Sequence, residues 1–253
     1  MTFAPVHPSD QSNAGTTVPV GVARLGSWEI GVRRHVRSSS DLAAQYDVAA
    51  GTWEDTARRF GLVDSYGHAL RRGRIGTGQR QGHGATRVLD CGIGTGSLSL
   101  ALRGICAGPV EYSGIDTSAR MLAQADMFLR GADILCELRR GSIDAIPHDG
   151  ASFDIVTAAH VLEHLPDPVA GLREMARVLK PGGRLFACVT RPSLFGAFIK
   201  MRWRTWTVSE RQGVTWLREM GLQDIGLCPL ALGAVTRQGS TAFWATKPAY
   251  SDA

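Results

Sequence analysis

The stretch from Arg87 to Leu102, RVLDCGIGTGSLSLAL, constrains the fold more than any other part of this chain. It reads as a strand, a glycine turn and a helix. Arg87 to Asp90 is a short, largely apolar run that ends in a carboxylate. Gly92, Gly94 and Gly96 then alternate with Ile93 and Thr95. From Ser97 onward Leu98 and Leu102 fall on one face of a helix. Glycine lets the backbone turn sharply, and it lets a ligand approach main-chain N–H groups with no Cβ in the way. The helix N-terminus behind the turn favours negative charge. A nucleotide-type ligand is therefore the first expectation, with a ligand-free tight turn as the alternative.

Spacing narrows the choice. A dinucleotide fingerprint, G-x-G-x-x-G/A, requires a third Gly or Ala where this chain has Ser97. The pattern observed is D-x-G-x-G-x-G, from Asp90 to Gly96, and no second nucleotide-binding half is recognisable. Both points speak against a nicotinamide-dependent oxidoreductase.

Beyond the turn, strands and helices alternate. Val110–Ile115 reads as a strand ending in Asp116, Ser118–Leu129 as a helix, Ile134–Leu138 as a strand and Phe153–Ala158 as another. Pro168–Leu179 reads as a helix stopped by Pro181-Gly182-Gly183, followed by a strand at Arg184–Val189 and a helix at Ser209–Met220. Ile225–Leu232 and Thr241–Thr246 suit a final antiparallel pair. Such alternation implies a mostly parallel sheet with right-handed crossovers. Ligands then bind at the carboxyl ends of the strands, near the switch point. Upstream, Ser38–Ala50, Thr52–Phe60 and Asp64–Arg72 have helical spacing, with Ser40 or Asp41 as a cap for the first. The Gly- and Arg-rich stretch Arg71–Thr86 suits a linker.

The D-x-G-x-G-x-G turn resembles the first motif of class I methyltransferases that use S-adenosylmethionine (SAM). Three more segments resemble that family in the same order. Gly141-Ser142-Ile143-Asp144-Ala145-Ile146-Pro147 is similar to its G-D-A-x-x-L-P loop, with Ser142 where the family has Asp. FDIVTAAHVLEHLPDP, Phe153–Pro168, is similar to its fourth-strand motif. LKPGGRL, Leu179–Leu185, is similar to the turn before its fifth strand. AQYDVAA and TWEDTARRFG resemble the cap preceding the core in small-molecule members. The resemblance runs from about Tyr46 to Val189, and the nearest group is the type 11 small-molecule enzymes, including those of ubiquinone and menaquinone biosynthesis.

The resemblance implies an α/β protein with a Rossmann-like class I methyltransferase fold. This is a seven-stranded, mostly parallel sheet with helices on both faces and a helical N-terminal cap. It implies a mobile tail and extension over 1–37, a helical cap and linker over 38–85, and a SAM-binding core over 86–253. Within the core, 192–208 reads as a substrate lid, mixing Phe195, Phe198, Met201, Trp203 and Trp206 with Lys200, Arg202 and Arg204; core packing or contact with a membrane or partner are the alternatives. The implied cofactor is SAM. Its site would be formed by Tyr46, Trp53, Asp90, Gly92, Gly94, Gly96, Asp116, Thr117, Met121, Ser142, Ile143 and Ala158. Asp90 would sit near the cofactor's ammonium group. Asp116, at a strand end about twenty residues past the turn, suits the ribose hydroxyls, with a helix-capping role as its alternative.

His160 and His164 are the catalytic candidates. They lie four residues apart, on one face of any helical turn. His160, nearer the strand end, suits a general base taking a proton from a hydroxyl or amine, and His164 matches a histidine common in the motif. For both, a structural hydrogen-bonding role is the stronger reading. They lack the glutamate pattern and third ligand of a zinc site, so no metal is expected.

The remaining composition is that of an ordinary globular protein of 253 residues, 44% hydrophobic and 20% charged. The net charge of +5 comes from scattered arginines, which argues against a nucleic-acid site and leaves room for an acidic substrate. Cys91, Cys106, Cys136, Cys188 and Cys228 show no C-x-x-C spacing, as expected for reduced thiols in a cytoplasmic protein. No secretory h-region and no membrane-length apolar run is visible. The expected reaction moves the sulfonium methyl to an O, N or C atom of a small acceptor, aromatic or anionic in character. A non-catalytic SAM-fold subunit and another SAM-dependent group transfer are the rival readings.

Overall fold

The computed structural model describes residues 17–25, 27–35, 44, 46–48, 61–77, 84–192, 207–230 and 239–249. Trp53, the Ser40 and Asp41 caps and positions 193–206 of the expected lid lie outside the described residues. Two strands open the chain, β1 (Thr17–Leu25) and β2 (Trp28–His35), paired as an antiparallel hairpin. The sequence suggests a mobile tail and extension over 1–37. The hairpin corrects it at 17–25, whose TVPVGVARL carries too few polar residues to stay in water unpaired.

The main sheet has seven strands in the order β5–β4–β3–β6–β7–β9–β8. They are β3 (Thr86–Cys91), β4 (Val110–Asp116), β5 (Cys136–Arg140), β6 (Phe153–Ala159), β7 (Leu179–Thr190), β8 (Gln223–Pro229) and β9 (Ser240–Thr246). Neighbours pair in parallel except β9, which runs antiparallel to both β7 and β8. The helices are α1 (Leu62–Arg72), α2 (Ser97–Arg103), α3 (Ala119–Arg130), α4 (Pro168–Val178) and α5 (Glu210–Glu219).

The central strands are apolar on both faces, as strands covered by helices on both sides must be. Val88, Ile155 and Phe186 pack in one layer with Leu70 of α1, Leu102 of α2 and Leu129 of α3. Their chain neighbours Leu89, Val156 and Ala187 pack in the other with Leu172 and Met175 of α4 and Leu217 of α5. One layer is thus built by the helices up to α3 and the other by those after β6. The winding reverses between β3 and β6, and a crevice opens beyond their carboxyl ends.

Two sequence expectations shift. The strand expected at Ile134–Leu138 is β5, Cys136–Arg140, because Ile134 is spent on the turn after α3, where its N–H donates to the Leu129 carbonyl at 2.9 Å. Pro181-Gly182-Gly183 does not stop α4, which ends at Val178 and passes straight into β7. Leu179 pairs with Phe153 and the next partners are Ile155 and Arg184, so the Pro-Gly-Gly segment is a bulge. Lys247 clamps it through backbone bonds of 2.9 Å to Gly182 and Gly183.

Candidate functional site

The carboxyl ends of β3, β4 and β6 open into one cavity of about 340 Å3. This is within the size range of small-molecule sites. Its floor is the glycine turn after β3. Gly92 and Gly94 both have positive φ, 65° and 55°. A Cβ on Gly92 would lie 2.3 Å from the Val161 side chain, whereas one on Gly94 would meet nothing within 4 Å. The first glycine is required by packing, and the second keeps the floor open.

Asp116 ties this floor to β4. The Gly94 N–H donates to Asp116 Oδ2 at 3.0 Å and the Ser118 N–H to Oδ1 at 2.9 Å. The helix cap is Ser118 rather than Asp116, its hydroxyl accepting from the Met121 N–H at 3.0 Å. Each Asp116 oxygen therefore holds one amide and keeps lone-pair capacity facing the cavity. Thr117 and Met121 border the same wall.

Asp90, at the cavity base, is buried. It accepts from the Ser99 hydroxyl at 2.7 Å and the Thr157 hydroxyl at 3.1 Å. Burial pushes its carboxyl up to about 6, against the pull of those two bonds. No cation balances it among the described residues. Thr95, also in the wall, has a buried hydroxyl without a partner among the described residues. A carboxylate awaiting a cation, an orphaned hydroxyl and an open glycine floor fit a zwitterionic amino-acid group, as the methionine end of SAM would supply.

The loop after β5 forms the opposite wall. Gly141, Ser142, Ile143 and Asp144 all border the cavity, and Ile143 is buried. Where the family has an aspartate, the Ser142 hydroxyl donates to Asp144, a carboxylate two residues on.

The segment after β6 supplies the remaining wall. Ala159, His160, Val161, His164 and Leu165 border the cavity. His160 adopts the left-handed region, φ 58°, which costs of order 1–3 kcal/mol for a residue with a side chain. Its N–H donates to the Cys188 carbonyl at 2.8 Å, and its Nδ1 lies 3.1 Å from Glu163 Oε1. Glu163 is buried and also accepts from the Thr190 N–H at 3.0 Å and the Thr190 hydroxyl at 2.9 Å. Burial pushes the Glu163 carboxyl up, but the His160 bond and the His160 and His164 charges outweigh it and hold it below its ordinary value. His164 Nε2 is 2.7 Å from the Tyr46 hydroxyl, and the two rings meet edge to face. Tyr46 therefore reaches across from the cap segment. Beside it, Asp47 accepts from the Ser118 hydroxyl and from the Arg120 N–H at 3.3 Å.

Of the residues expected from sequence, Tyr46, Asp90, Gly92, Gly94, Asp116, Thr117, Met121, Ser142, Ile143, His160 and His164 converge on this cavity. Two do not. Ala158 is buried in the core, and Ala159 takes its place in the wall; alternate strand residues face opposite ways, so an error of one residue turns a side chain to the other face. Gly96 is absent from the wall. Its φ is 90°, and a Cβ there would approach Leu129 to 2.9 Å, so it serves packing between α2 and α3. Tyr66, Thr95 and Leu165 line the cavity without having been singled out. Glu163 was also missed, although an acid three residues after a histidine was a visible signal. Among the described residues, no group of three or more His, Cys, Asp or Glu side chains is placed to hold a metal ion.

A family model described as a methyltransferase domain, of the type 11 group, matches residues 89–187. Residues 89–187 are similar to that methyltransferase domain, and the sheet around them has the Rossmann-like class I methyltransferase fold. A ubiquinone biosynthesis O-methyltransferase of Marinobacter nauticus is 31% identical over 148 residues, covering 56% of this chain and 59% of its own length. A demethylmenaquinone methyltransferase of Lactiplantibacillus plantarum is 39% identical over 105 residues, 41% of this chain and 44% of its own. The matches span only about half the length of these curated relatives. Among solved structures, a Thermotoga maritima SAM-dependent methyltransferase, described as a possible histamine N-methyltransferase, superposes with a TM-score of 0.63. It covers 81% of this chain and 99% of its own, at 17% identity, and shows the shared fold alone. The matched segment carries the glycine turn, Asp116 and His160 that border one cavity, and no helix among the described residues is long and apolar enough to cross a membrane.

Proposed function

We propose that the protein transfers a methyl group from SAM to an O, N or C atom of a small-molecule acceptor, releasing S-adenosylhomocysteine. The observation that carries this reading is the meeting of Asp90, the Gly92–Thr95 turn, Asp116 and the 142–143 loop on one cavity with His160 at its edge. SAM supplies a sulfonium methyl that is electrophilic before any protein group acts.

The chain's task is to bind, orient and exclude water. Asp90 receives the cofactor's ammonium group, directly or through water. The amides of the glycine turn and the Thr95 hydroxyl face its carboxylate. Asp116 accepts from the ribose hydroxyls, and Ser142 with the Ile143 amide holds the adenine edge. Met121 and Leu98 give that end apolar contact. Alignment of the acceptor with the S–CH3 bond supplies much of the acceleration, up to about 7–11 kcal/mol. Tyr46 closes the cavity from the cap side through His164. The apolar side chains of Leu62, Tyr66 and Leu165 suit an acceptor with an aromatic or aliphatic body, in line with the quinone-pathway names of the two relatives.

Calorimetric titration with SAM tests the binding half, with micromolar affinity expected; no binding at millimolar SAM overturns it. Incubation with methyl-labelled SAM and a panel of phenols, amines and activated carbon acids tests the transfer half. Formation of S-adenosylhomocysteine with a labelled product is the expected result.

A further inference from the structure

We infer that buried Glu163 is a positioning residue that fixes His160 as the general base, and that the acceptor is a hydroxyl compound that loses its proton on methylation. This deepens the proposed function and rests on it. Glu163 does not border the cavity; it touches His160, which does.

An ionised carboxylate can only accept, so the 3.1 Å contact requires His160 Nδ1 to carry the hydrogen. The ring's other nitrogen, Nε2, is then the lone-pair site left for the cavity. The Glu163 carboxylate is itself held, with Oε1 accepting two further bonds from Thr190 in β7. Its Oε2 is buried without a partner among the described residues. A buried carboxylate with one oxygen unsatisfied is costly to keep, and a packing role alone would be met by an uncharged residue. The His160 backbone is also held in its left-handed conformation by the bond to Cys188. Strain and a buried charge therefore converge on the orientation of one imidazole beside the cavity.

The titratable groups packed around the pair are His164 on the same turn, Tyr46 from the cap, Tyr66 from α1, Cys188 from β7 and Asp90 from β3. Burial pushes the Tyr66 hydroxyl and the Cys188 thiol well up, so both stay neutral at working pH. Glu163 is the anion in contact with the His160 ring.

The step balances as follows. The acceptor O–H bond breaks and its proton passes to His160 Nε2. An oxygen electron pair forms the new O–CH3 bond as the S–CH3 bond breaks, its pair staying on sulfur. The imidazolium so formed lies against the Glu163 carboxylate, and the sulfonium charge is discharged. A base of this kind serves a neutral hydroxyl, whose oxygen is a poor nucleophile until its proton leaves. The apolar wall of Leu62, Tyr66 and Leu165 gives that hydroxyl an apolar or aromatic carrier.

The test compares the wild-type protein with Glu163→Gln, using His160→Asn to assign the ring signal. First, the His160 imidazole midpoint is read by NMR on the protein without cofactor. Glu163→Gln should lower it by about one pH unit or more, because an anion in contact has been removed. Second, methyl transfer to a phenol is followed against pH. The acid limb of kcat/KM should move down by the same amount while the plateau falls about 10²-fold, with calorimetric SAM affinity unchanged. The deficit should shrink as pH approaches the phenol's own ionisation. An unmoved imidazole midpoint, or a lower plateau with an unmoved acid limb, overturns the inference, as does preferred transfer to amines. If Glu163→Gln fails to fold, Glu163→Asp, whose shorter side chain draws the carboxylate away from the His160 ring, takes its place in both readings with a smaller shift of the same sign. Absence of SAM binding would sink the proposed function, while the NMR reading would still judge the pairing.

Discussion

Asp90 and Asp116 sit at the ends of adjacent strands, yet their surroundings give them different tasks. Asp116 has both oxygens engaged by backbone amides, so it sets the shape of the glycine turn while bordering the cavity. Asp116→Ala should weaken SAM binding by about 10–100-fold, the loss of two hydrogen bonds to a charged acceptor, and calorimetry would measure it; unchanged affinity would remove the ribose role. Asp90 accepts from the Ser99 and Thr157 hydroxyls and is raised by burial to about 6. Its folded pKa exceeds the unfolded carboxylate value near 4, so the folded state holds the extra proton between about pH 4 and 6. The protein therefore loses stability from this group as pH rises through that window. Asp90→Asn should be flatter in that window and more stable than wild type at pH 7 by about 1–3 kcal/mol. Thermal unfolding at pH 4 and pH 7 would show it, and the same variant should bind SAM poorly. That combination of gained stability and lost binding is the mark of a strained functional carboxylate.

At the scale of the element, the glycine turn and the segment after β6 interlock. Gly92 lies against Val161, so the turn that floors the cavity is held by the same loop that carries His160 and Glu163. Gly92→Ala and Gly94→Ala both place a side chain at positive φ, at about 1 kcal/mol or more each. Only Gly92→Ala adds a collision, at 2.3 Å. It should lower stability by a further 1–3 kcal/mol or so and disturb the His160 turn. Gly94→Ala should fold nearly as well but weaken SAM binding by narrowing the open floor. Denaturant unfolding beside calorimetry separates the two, and equal stability losses would contradict the packing reading. The hairpin of β1 and β2 and the Lys180–Gly183 bulge are elements of a different kind. Both are built from pairings whose partners lie far apart or in unpatterned sequence.

For the whole molecule, the reversal of winding between β3 and β6 gathers residues from 46 to 166 into one cavity. A ligand bound there contacts both halves of the sheet and the cap, so it should act on global unfolding. SAM at about 100 times its dissociation constant should add about 2.7 kcal/mol, a rise in Tm of about 5–10 °C for a chain of this size, read by thermal shift. Asp116→Ala at the same SAM concentration should lose most of that rise.

The sequence by itself determined the parallel sheet, the order of its elements and many of the residues that border the cavity, because each signal is local. A glycine turn, a carboxylate at a strand end and alternating apolar runs act through residues within a few positions of one another. Tertiary structure decided what depended on distant partners. It exchanged Ala158 for Ala159, because which face a strand residue takes follows from the register between β6 and its neighbours. It withdrew Gly96 from the site, because Leu129 packs over it from another helix. It also gave Glu163 its meaning. In the sequence this is an acid between two histidines, and only Thr190 of β7, twenty-seven residues away, turns it inward. A buried charge is tolerated only where distant groups bond it, so the acid was visible in the sequence while its burial and its bonds to Thr190 were not.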